Sequence, residues 1–505
     1  MNRTILEILE KTAKKIPDKI IYEDINRKST YSEFIQVTQK IGSSLAKKIQ
    51  DINKPVAIYI DRSVTCLETM MGVSYSGNYF TVLDTKSPKE RIDLILQTLP
   101  EISIVVEKKN VEKIKELNFD GEIFIYEELI EEKIDNDKLS EIRNRIIDTD
   151  PMYVQFTSGS TGVPKGIVIC HRSVITYAYN IKETFKIDEK TIFGNEPPFY
   201  FSMSTLEIYT TMISGATMYI IPKMYFAFPI KLLTFLKEKK INTIYWVPSV
   251  LCIVANMKAL DEIELPDLKK VLFAGEVMPV KQLNIWIEHF PNTMFANLCG
   301  PTEITDICTY YIVDRKFENN ESLPIGKACY NCDVLIIKED GTRAKNGEEG
   351  ELCVRGSFLA LGYYNNPEKT NQAFIQNPLN TAYPEIIYKT GDIVKTNERG
   401  EILYISRKDF QIKHMGYRIE LGEIENAINN IDGIISCACI YDNENKKIIL
   451  FYQGNNKLTD KEILQKSKEA LPNYMIPNEI HRLSQMVYNA NGKIDKNQLK
   501  KMVKE

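Results

Sequence analysis

Strand-like segments alternate with amphipathic helix patterns through most of the chain, and this alternation restricts the fold more than any other feature. Residues 55–61 (PVAIYID) are apolar and β-branched, residues 65–77 have helical spacing, and residues 79–84 (YFTVLD) form the next strand-like run. Strands that are separated by helices usually pair in parallel, with helices covering the sheet. The sequence therefore predicts an α/β fold whose large N-terminal domain contains sheets rich in parallel strands. Further strand-like runs lie at 102–106, 122–126, 217–222 and 242–248.

The pattern changes after about residue 320, where shorter β segments with glycine-bearing turns follow one another. Such segments predict a β subdomain at the end of the N-terminal domain. From residue 423 onward a helix, two strands and another helix follow, as in a small α+β unit. We therefore predict an N-terminal domain over residues 1–407, a joint at residues 408–410 and a small C-terminal domain over residues 411–505.

The charge balance and the apolar runs limit the classes of partner. The 505 residues include 64 Lys and Arg against 68 Asp and Glu, a net charge of −4, which argues against nucleic acid as a main partner. No run approaches the ~18 apolar residues of a membrane helix, and the N-terminus lacks a signal-peptide core, so we expect a cytoplasmic protein with no membrane partner. Ten cysteines include one C-x-x-C pair, Cys329 and Cys332, and we expect reduced thiols rather than a zinc site.

The strongest local signal is the segment YVQFTSGSTGVPKG at residues 153–166. A strand leads into a loop that is dense in glycines and hydroxyl groups, and a second strand follows Lys165. Glycines let backbone N–H groups turn toward an anion, and hydroxyl groups and a lysine add donors and charge. The segment is not a Walker A loop, because G-x-x-x-x-G-K-[ST] is not satisfied. The order of residues predicts a phosphate-binding loop rather than a flexible polar hairpin.

Five further motifs follow this loop, and the six together cover residues 153–495. They resemble the signature motifs of the adenylate-forming enzymes, a superfamily that includes acyl- and aryl-CoA ligases, luciferases and the adenylation domains of peptide synthetases. The residues of these motifs most resemble those of ligases that load a separate carrier protein, such as the D-alanine–carrier protein ligases. The five motifs are GPTE at 300–303, GELCVRG at 350–356 with GYY at 362–364, YKTGD at 388–392, RKDFQIKHMGYRIELGEIE at 407–425, and NGKID at 491–495.

The resemblance implies an ATP- and Mg²⁺-dependent first half-reaction, in which a carboxylate attacks ATP to give acyl-AMP and pyrophosphate. Carboxylate and triphosphate repel each other, so such a site needs cations and N–H donors where charge builds up. By the resemblance, Glu303 ligates Mg²⁺, Thr302 contacts the α-phosphate, Asp392 accepts both ribose hydroxyls and Arg407 approaches ribose or phosphate. The remaining residues implied to bind the nucleotide are Thr157, Ser158, Gly159, Ser160, Thr161, Gly162, Lys165, Asn297, Cys299 and Gly300.

The resemblance also implies that the small domain moves between the half-reactions. Lys493 matches the lysine that bridges the carboxylate and the α-phosphate during adenylation, so we expect it to be catalytic. Asp409 matches the hinge about which the domain swings. The segment that contains Lys413 and Gly416 would then face the incoming thiol. Without the motifs, Lys493 would be taken for a solvated lysine and Asp409 for an ordinary loop residue.

The sequence departs from the family at the adenine and acid positions. Cys299 stands where an aromatic residue usually packs against adenine, which would weaken the nucleotide site by about 1 kcal/mol. Ser202 stands where α-amino-acid enzymes have an aspartate for the substrate ammonium, and a buried ammonium opposite a hydroxyl would be poorly compensated. A simple α-amino acid is therefore disfavoured.

Asp306, three residues after Glu303, falls on a pocket position and could replace the missing acid. It would pair with an amine farther from the carboxylate or accept from a phenol, unless it faces a backbone N–H and never contacts the ligand. This pocket suits a hydroxylated aryl acid or a β- or ω-amino acid. The other implied lining residues are Phe201, Met203, Leu206, Ser249, Leu272, Ala274, Leu298 and Ile307.

The identity of the thiol acceptor remains open between two alternatives. The chain ends at Glu505, soon after the NGKID motif, without a phosphopantetheinyl carrier segment, so we expect a stand-alone ligase. We favour the phosphopantetheine thiol of a separate carrier protein over free CoA. A catalytically silent nucleotide-binding scaffold is a third hypothesis, disfavoured because Lys493, Glu303 and Asp392 are all present, and a light-producing oxidase is improbable. The oligomeric state does not follow from the sequence.

Overall fold

The structure is a computed structural model, and it describes residues 2–159, 162–319, 321–408, 411–455, 458–487 and 494–503. Within these residues the predicted strand–helix alternation is present, and the α/β fold class is confirmed. The strands are β1 (Ile20–Glu23), β2 (Lys28–Thr30), β3 (Pro55–Tyr59), β4 (Tyr79–Val82), β5 (Ser103–Val106), β6 (Ile123–Ile125), β7 (Pro151–Thr157), β8 (Lys165–Cys170), β9 (Ile192–Asn195), β10 (Thr217–Ile220), β11 (Thr243–Trp246), β12 (Lys270–Phe273), β13 (Met294–Cys299), β14 (Thr309–Ile312), β15 (Lys327–Ala328), β16 (Cys332–Ile337), β17 (Gly350–Gly356), β18 (Gly362–Tyr363), β19 (Phe374–Gln376), β20 (Ile386–Thr396), β21 (Ile402–Arg407), β22 (Gln411–His414), β23 (Tyr417–Glu420), β24 (Ile434–Asp442), β25 (Lys447–Gly454) and β26 (Glu479–Arg482).

Amphipathic helices cover the sheets, since one face of each helix must be buried. The helices are α1 (Ile5–Lys15), α2 (Tyr31–Ile49), α3 (Val64–Tyr75), α4 (Lys89–Thr98), α5 (Val111–Lys115), α6 (Tyr126–Leu129), α7 (Asn136–Arg145), α8 (His171–Thr184), α9 (Ser204–Ser214), α10 (Pro229–Glu238), α11 (Pro248–Asn256), α12 (Val280–His289), α13 (Pro367–Ala373), α14 (Leu421–Asn429), α15 (Asp460–Ala470) and α16 (Lys496–Met502). Short 3₁₀ turns lie at Lys108–Asn110, Lys223–Ala227, Ala259–Asp261, Thr302–Ile304 and Asn473–Met475. Among the described residues, no helix has the length and apolar character that a membrane span requires.

Two large mixed sheets form the centre of the N-terminal part. In the described residues one sheet has the strand order β15-β14-β13-β12-β11-β9-β10-β1-β2, and the other has the order β18-β8-β7-β4-β3-β5-β6. Their central pairs, such as β11 with β12 and β12 with β13, are parallel. Helices α8 and α9 contact each other, and residues of both belong to the main hydrophobic cluster together with residues of both sheets. The two sheets and these helices therefore share one hydrophobic core.

A smaller sheet and two C-terminal sheets complete the fold. Strands β16, β17, β19, β20 and β21 form the predicted β subdomain, and β22 pairs with β23 in a two-stranded hairpin. Strands β24, β25 and β26 form a separate sheet against α14 and α16. The two hydrophobic clusters of this C-terminal part contain only residues from Ile412 onward, so the part has its own core, as a small α+β domain requires.

One buried carboxylate in α9 predicts how stability depends on pH. Burial raises the pKa of Glu207 to about 8, although Asn195 Nδ2 donates to its Oε2 at 2.6 Å. The folded state therefore keeps a proton that the unfolded chain loses above its ordinary pKa, and stability falls as the pH rises from about 4.5 to about 8. We expect Glu207→Gln to remove part of this fall and to raise the unfolding temperature at about pH 8.5 by a few degrees, with little change at about pH 5. The exposed Glu183→Gln is the control, and an equal pH dependence in both variants would contradict the assignment.

Candidate active site

A cavity of about 760 Å³ lies where the parallel strands β12 and β13 end, between the nine-stranded sheet and the hairpin β22–β23. Its wall includes Ala274, which directly follows β12, and residues 297–300, at the end of β13. Ligands of α/β proteins bind beyond the carboxyl ends of parallel strands. The cavity therefore occupies the position at which this kind of fold binds ligands.

The cavity brings together fourteen of the residues that the sequence analysis assigned to the site. They come from the turn before α9, the ends of β12 and β13, the five-stranded sheet and the hairpin. The predicted residues in its wall are Phe201, Ser202, Met203, Ala274, Asn297, Leu298, Cys299, Gly300, Thr302, Asp306, Asp392, Arg407, Lys413 and Gly416.

Four residues that we predicted to line the acid pocket are not part of this wall. Leu206, Leu272 and Ile307 are at most 1% exposed and pack in the main hydrophobic core. The backbone N–H and the hydroxyl group of Ser249 both donate to the carboxylate of Glu276. These four are therefore core or hydrogen-bonded positions in the structure. Ser160, Thr161, Asp409 and Lys493 lie outside the described residues.

The residues predicted to bind the nucleoside line the same cavity, and two of them, Asp392 and Arg407, are paired. Arg407 Nη1 donates to Asp392 Oδ1 and to the carbonyl oxygen of Thr390, both at 2.9 Å, and both side chains are mostly buried. Asn297 Nδ2 donates to the carbonyl oxygen of Pro324 at 2.8 Å. Burial raises the pKa of the Cys299 thiol to about 11, so it is neutral at physiological pH. This wall thus offers an anchored carboxylate and an uncharged thiol.

Glu303 and Lys165 are each paired with a residue of the hairpin. Arg418 Nη1 donates to Glu303 Oε2 at 2.7 Å, and Lys165 Nζ lies 3.2 Å from Glu420 Oε1. Burial alone would raise the pKa of Glu303, but the charges of Arg418 and Lys165 and the hydroxyl of Tyr363 outweigh it and lower the pKa to about 2. Glu303 is therefore an anion that is fully buried and neutralised by Arg418.

The predicted phosphate loop also contacts the C-terminal part. It connects two strands, β7 and β8, as predicted, and the structure pairs them in an antiparallel way. Ser158 Oγ donates to the carbonyl oxygen of Arg418 at 2.8 Å and accepts from the Glu420 N–H at 3.0 Å. The Gly159 N–H donates to Glu423 Oε2 at 3.1 Å, and the other oxygen of Glu423 pairs with Arg91. Of the loop groups predicted to bind phosphate, the Ser158 hydroxyl thus bonds to backbone groups of the hairpin here, and the Gly159 N–H binds a carboxylate. Thr157 Oγ1 has no partner among the described residues, and Gly162 has a positive φ of 84°.

Asp306 is held by hydroxyl groups rather than by backbone N–H groups. Its Oδ2 accepts from the hydroxyls of Tyr177 at 2.6 Å and Tyr245 at 3.1 Å. Burial raises the pKa of Asp306 to about 7, against the lowering effect of these two donors. The nearby Ser202 hydroxyl accepts from Thr302 Oγ1 at 3.2 Å. A carboxylate and a hydroxyl thus occur in the same cavity, at the two positions that the sequence identified.

The tip of the hairpin enters the cavity wall close to β11. The Gly416 N–H donates to Glu276 Oε1 at 3.1 Å, and Gly416 has a φ of 79°. A Cβ at this position would lie 2.4 Å from Val247 Cγ1. Only glycine fits this left-handed turn and this close approach. Lys413 lies in the same wall.

Sequence reasoning missed several residues that shape the site. Arg418, Glu420 and Glu423 lie inside the motif at 407–425, but only Arg407, Asp409, Lys413 and Gly416 were assigned a role there. Tyr177 and Tyr245 lie in α8 and β11, far in sequence from Asp306 and outside every motif. The charges of the motif were a signal for the first three, whereas no local pattern identified the two tyrosines.

The chain matches known proteins along nearly its whole length. The family model described as AMP-binding enzyme covers residues 9–364. A D-alanine–D-alanyl carrier protein ligase of Bacillus cytotoxicus is 29% identical over 513 residues, covering 98% of this chain and 98% of that protein. A mycosubtilin synthase protein of Bacillus subtilis is 30% identical over 511 residues, and this chain spans only 19% of its length. The match covers 98% of this chain.

Among solved structures, the Vibrio cholerae adenylation domain AlmE, in complex with glycyl-adenosine-5'-phosphate, has the same fold. Its TM-score is 0.83 at 22% identity, over 100% of this chain and 98% of that chain. The family suggested by the motifs is therefore confirmed by the family model, and the arrangement of the sheets agrees with it. The chain belongs to the AMP-binding enzyme family, and it is an ATP-using, AMP-forming ligase that activates its acid as an acyl adenylate.

Proposed function

We propose that this ligase transfers its activated acid to the phosphopantetheine thiol of a separate carrier protein. The observation that carries the proposal is the extent of the cavity, which continues from Asp392 and Ser202 past Lys413 and Gly416. Its wall then includes Lys446 and Lys500 of the C-terminal part, together with Lys496, which pairs with Glu425. The thiol of phosphopantetheine lies at the end of a long chain and needs such a passage to reach the acyl adenylate. The lysines form a basic rim around the cavity, and a basic rim attracts an acidic partner protein. The similarity to a carrier-protein ligase supports the same choice.

For the first half-reaction we assign the roles that the motifs imply. Asp392 and Arg407 hold the ribose, Thr302 contacts the α-phosphate, and Lys165 with the phosphate loop binds the β- and γ-phosphates. Lys493 brings the acid carboxylate and the α-phosphate together. A carboxylate oxygen then attacks the α-phosphorus, and pyrophosphate leaves.

Glu303 suits a Mg²⁺ site, because Mg²⁺ is commonly bound by one or two carboxylates together with substrate phosphates. Its low pKa keeps both oxygens available as acceptors, and here they accept from Tyr363 and Arg418. The bound ion would neutralise charge on the phosphates. For Glu303 to bind it, Arg418 has to withdraw.

We further propose that residues 411–505 swing about Asp409 between the half-reactions. The hairpin arrangement described above fits the second half-reaction, because Gly416 and Lys413 face the cavity. In this arrangement Arg418 neutralises Glu303, and Glu420 neutralises Lys165. The thiol sulfur would attack the acyl carbonyl, and AMP would leave with the phosphate oxygen. The cytoplasmic location stays a prediction.

Acid-dependent exchange of pyrophosphate into ATP tests the first half-reaction. We expect Lys493→Ala to lower this exchange by at least about 100-fold, because the bridge between the carboxylate and the α-phosphate is lost. Acyl transfer from a preformed acyl-AMP should change far less. Lys496→Ala is the matched control, since Lys496 pairs with Glu425 at 2.6 Å and is assigned no role in adenylation. Equal losses in both variants, or unchanged exchange in Lys493→Ala, would contradict the assignment.

Offering the same acyl-AMP to a carrier protein and to free CoA tests the acceptor. We expect faster transfer to the carrier, with a rate that falls as salt screens the basic rim. Faster transfer to CoA, whose phosphates would also suit the rim, would favour the alternative of a CoA ligase.

A further inference from the structure

Asp306 is fixed in the cavity wall by three independent features of the fold. Thr305, directly before it, has a φ of 75° and donates its hydroxyl to the carbonyl oxygen of Phe358 at 2.9 Å. A β-branched residue with a positive φ is held there only when its surroundings enforce it. Tyr177 and Tyr245, both fully buried, hold the carboxylate from two other elements. The position of this carboxylate is therefore built by the fold and does not result from a loose surface turn.

The charge of Asp306 has no partner of opposite sign at ion-pair distance. Four carboxylates line the cavity: Glu276, Asp306, Glu321 and Asp392. Asp392 pairs with Arg407 and Glu321 with Arg315, and Glu276 accepts backbone N–H groups from Ser249 and Gly416. Among the described residues, Asp306 alone of the four has neither a Lys or Arg partner within 4.0 Å nor a backbone N–H donor.

One oxygen of this carboxylate is available for a ligand. Both tyrosine hydroxyls donate to Oδ2, whereas no hydrogen bond to Oδ1 occurs among the described residues, and Asp306 lies in the cavity wall. The two hydroxyls stabilise the anion but leave its charge uncompensated, and a buried charge is costly unless it is paired. A positive group on the ligand would supply the missing partner.

We propose that Asp306 binds a positively charged nitrogen of the acid substrate, remote from the carboxylate that is activated, so that the substrate class is the ω-amino acids. This inference rests on the proposed function. A phenol or an alcohol would add only a third neutral donor. An α-ammonium group would instead meet the neutral Ser202 position. The ω-ammonium group places one charge on Asp306 and leaves the carboxylate free to reach the adenylation centre.

Matched pairs of acids test this inference in the wild-type chain with pyrophosphate exchange. Each pair keeps its length and exchanges only the ammonium for a hydroxyl: 5-aminopentanoate with 5-hydroxypentanoate, and 4-(aminomethyl)benzoate with 4-(hydroxymethyl)benzoate. We expect kcat/KM to favour the ammonium acid in at least one pair by about 100-fold, in the range that a site gains from a paired buried charge. Equal values, or a preference for the hydroxyl acids or for α-amino acids, would overturn the inference while leaving adenylation established. No exchange with any acid would contradict the proposed function, and the inference with it.

Asp306→Asn tests the residue itself, because the amide keeps an oxygen for the tyrosine hydroxyls and removes the charge. We expect the ratio of kcat/KM for the ammonium acid to that for its hydroxyl partner to fall by about 100-fold, mainly through KM of the ammonium acid. The exposed Glu183→Gln should leave the ratio unchanged. A ratio that survives Asp306→Asn would overturn the inference.

A pH profile of the wild-type chain gives a readout that does not depend on the variant folding. The groups that face Asp306 are Tyr153, Tyr177, Tyr245, Cys329 and the cation Lys413. Burial raises the pKa values of the three tyrosines and the cysteine, so these four groups stay neutral. Because only the ionised carboxylate pairs with the ammonium, kcat/KM for the ammonium acid should rise about tenfold per pH unit below about 7 and level off above it. The hydroxyl partner should not show this step. A step shared by both acids would contradict the role of Asp306.

Discussion

Gly416→Ala is expected to slow acyl transfer to the thiol by about 10- to 100-fold while pyrophosphate exchange stays within about twofold of wild type. The added Cβ would lie 2.4 Å from Val247 Cγ1, and the backbone of Gly416 has a φ of 79°. The steric cost arises only when the tip of the hairpin is docked against β11, whereas the backbone cost belongs to the hairpin turn itself. The clash therefore acts on the arrangement that we assign to the second half-reaction. Single-turnover transfer from preformed acyl-AMP to a carrier or to CoA measures the effect apart from exchange.

Two further variants separate the steric cost from the backbone cost. Gly400 has a φ of 76°, but no atom lies within 4 Å of the position that an added Cβ would take, so Gly400→Ala carries similar backbone strain without a clash. We expect it to transfer acyl groups at nearly the wild-type rate. Val247→Ala combined with Gly416→Ala should restore part of the transfer, since it removes the methyl groups that the new Cβ meets. Loss of exchange and transfer to the same degree in Gly416→Ala would show that the hairpin contact serves stability alone.

The sequence predicted the elements whose signals are local. The run PVAIYID became β3, and the loop at 153–166 became a connection between two paired strands, because apolar runs and glycine-bearing turns determine local structure. The order of motifs also identified the family. The elements of the C-terminal part were predicted in the same way, because its helices and strands are short and clearly patterned.

The contacts between distant segments could not be predicted in this way. Arg418 meets Glu303 across 115 positions, and Tyr177 meets Asp306 across 129. Nothing in the periodicity of a segment states which buried charge or hydroxyl will lie opposite it in the folded chain. The family pattern likewise suggested Leu272 for the acid pocket, but in this chain that side chain packs into the core.

The same limitation explains why the charges of the hairpin were not recognised. Arg418 and Glu420 lie two residues apart in a β-strand, so their side chains are on the same face. Arg418 pairs with Glu303, the carboxylate that we assign to Mg²⁺. Glu420 pairs with Lys165, the lysine that we assign to the terminal phosphates. The hairpin thus presents a cation where the metal would bind and an anion near the predicted phosphate site. Magnesium pyrophosphate and the docked hairpin would therefore compete for Glu303 and Lys165.

Arg418→Gln is expected to lower acyl transfer by about 100-fold while leaving exchange near the wild-type rate, because it removes the only Lys or Arg of the described residues that forms an ion pair with Glu303. Breaking a buried pair by removing one partner typically costs about 3–5 kcal/mol. Bound Mg²⁺ would supply the missing charge during adenylation, so the cost would act on the docked hairpin alone. Arg418→Lys should retain part of the transfer, and the exposed Arg399→Gln should retain all of it. Magnesium pyrophosphate should inhibit transfer by wild type from preformed acyl-AMP, and a transfer rate indifferent to both pyrophosphate and Arg418→Gln would refute the competition.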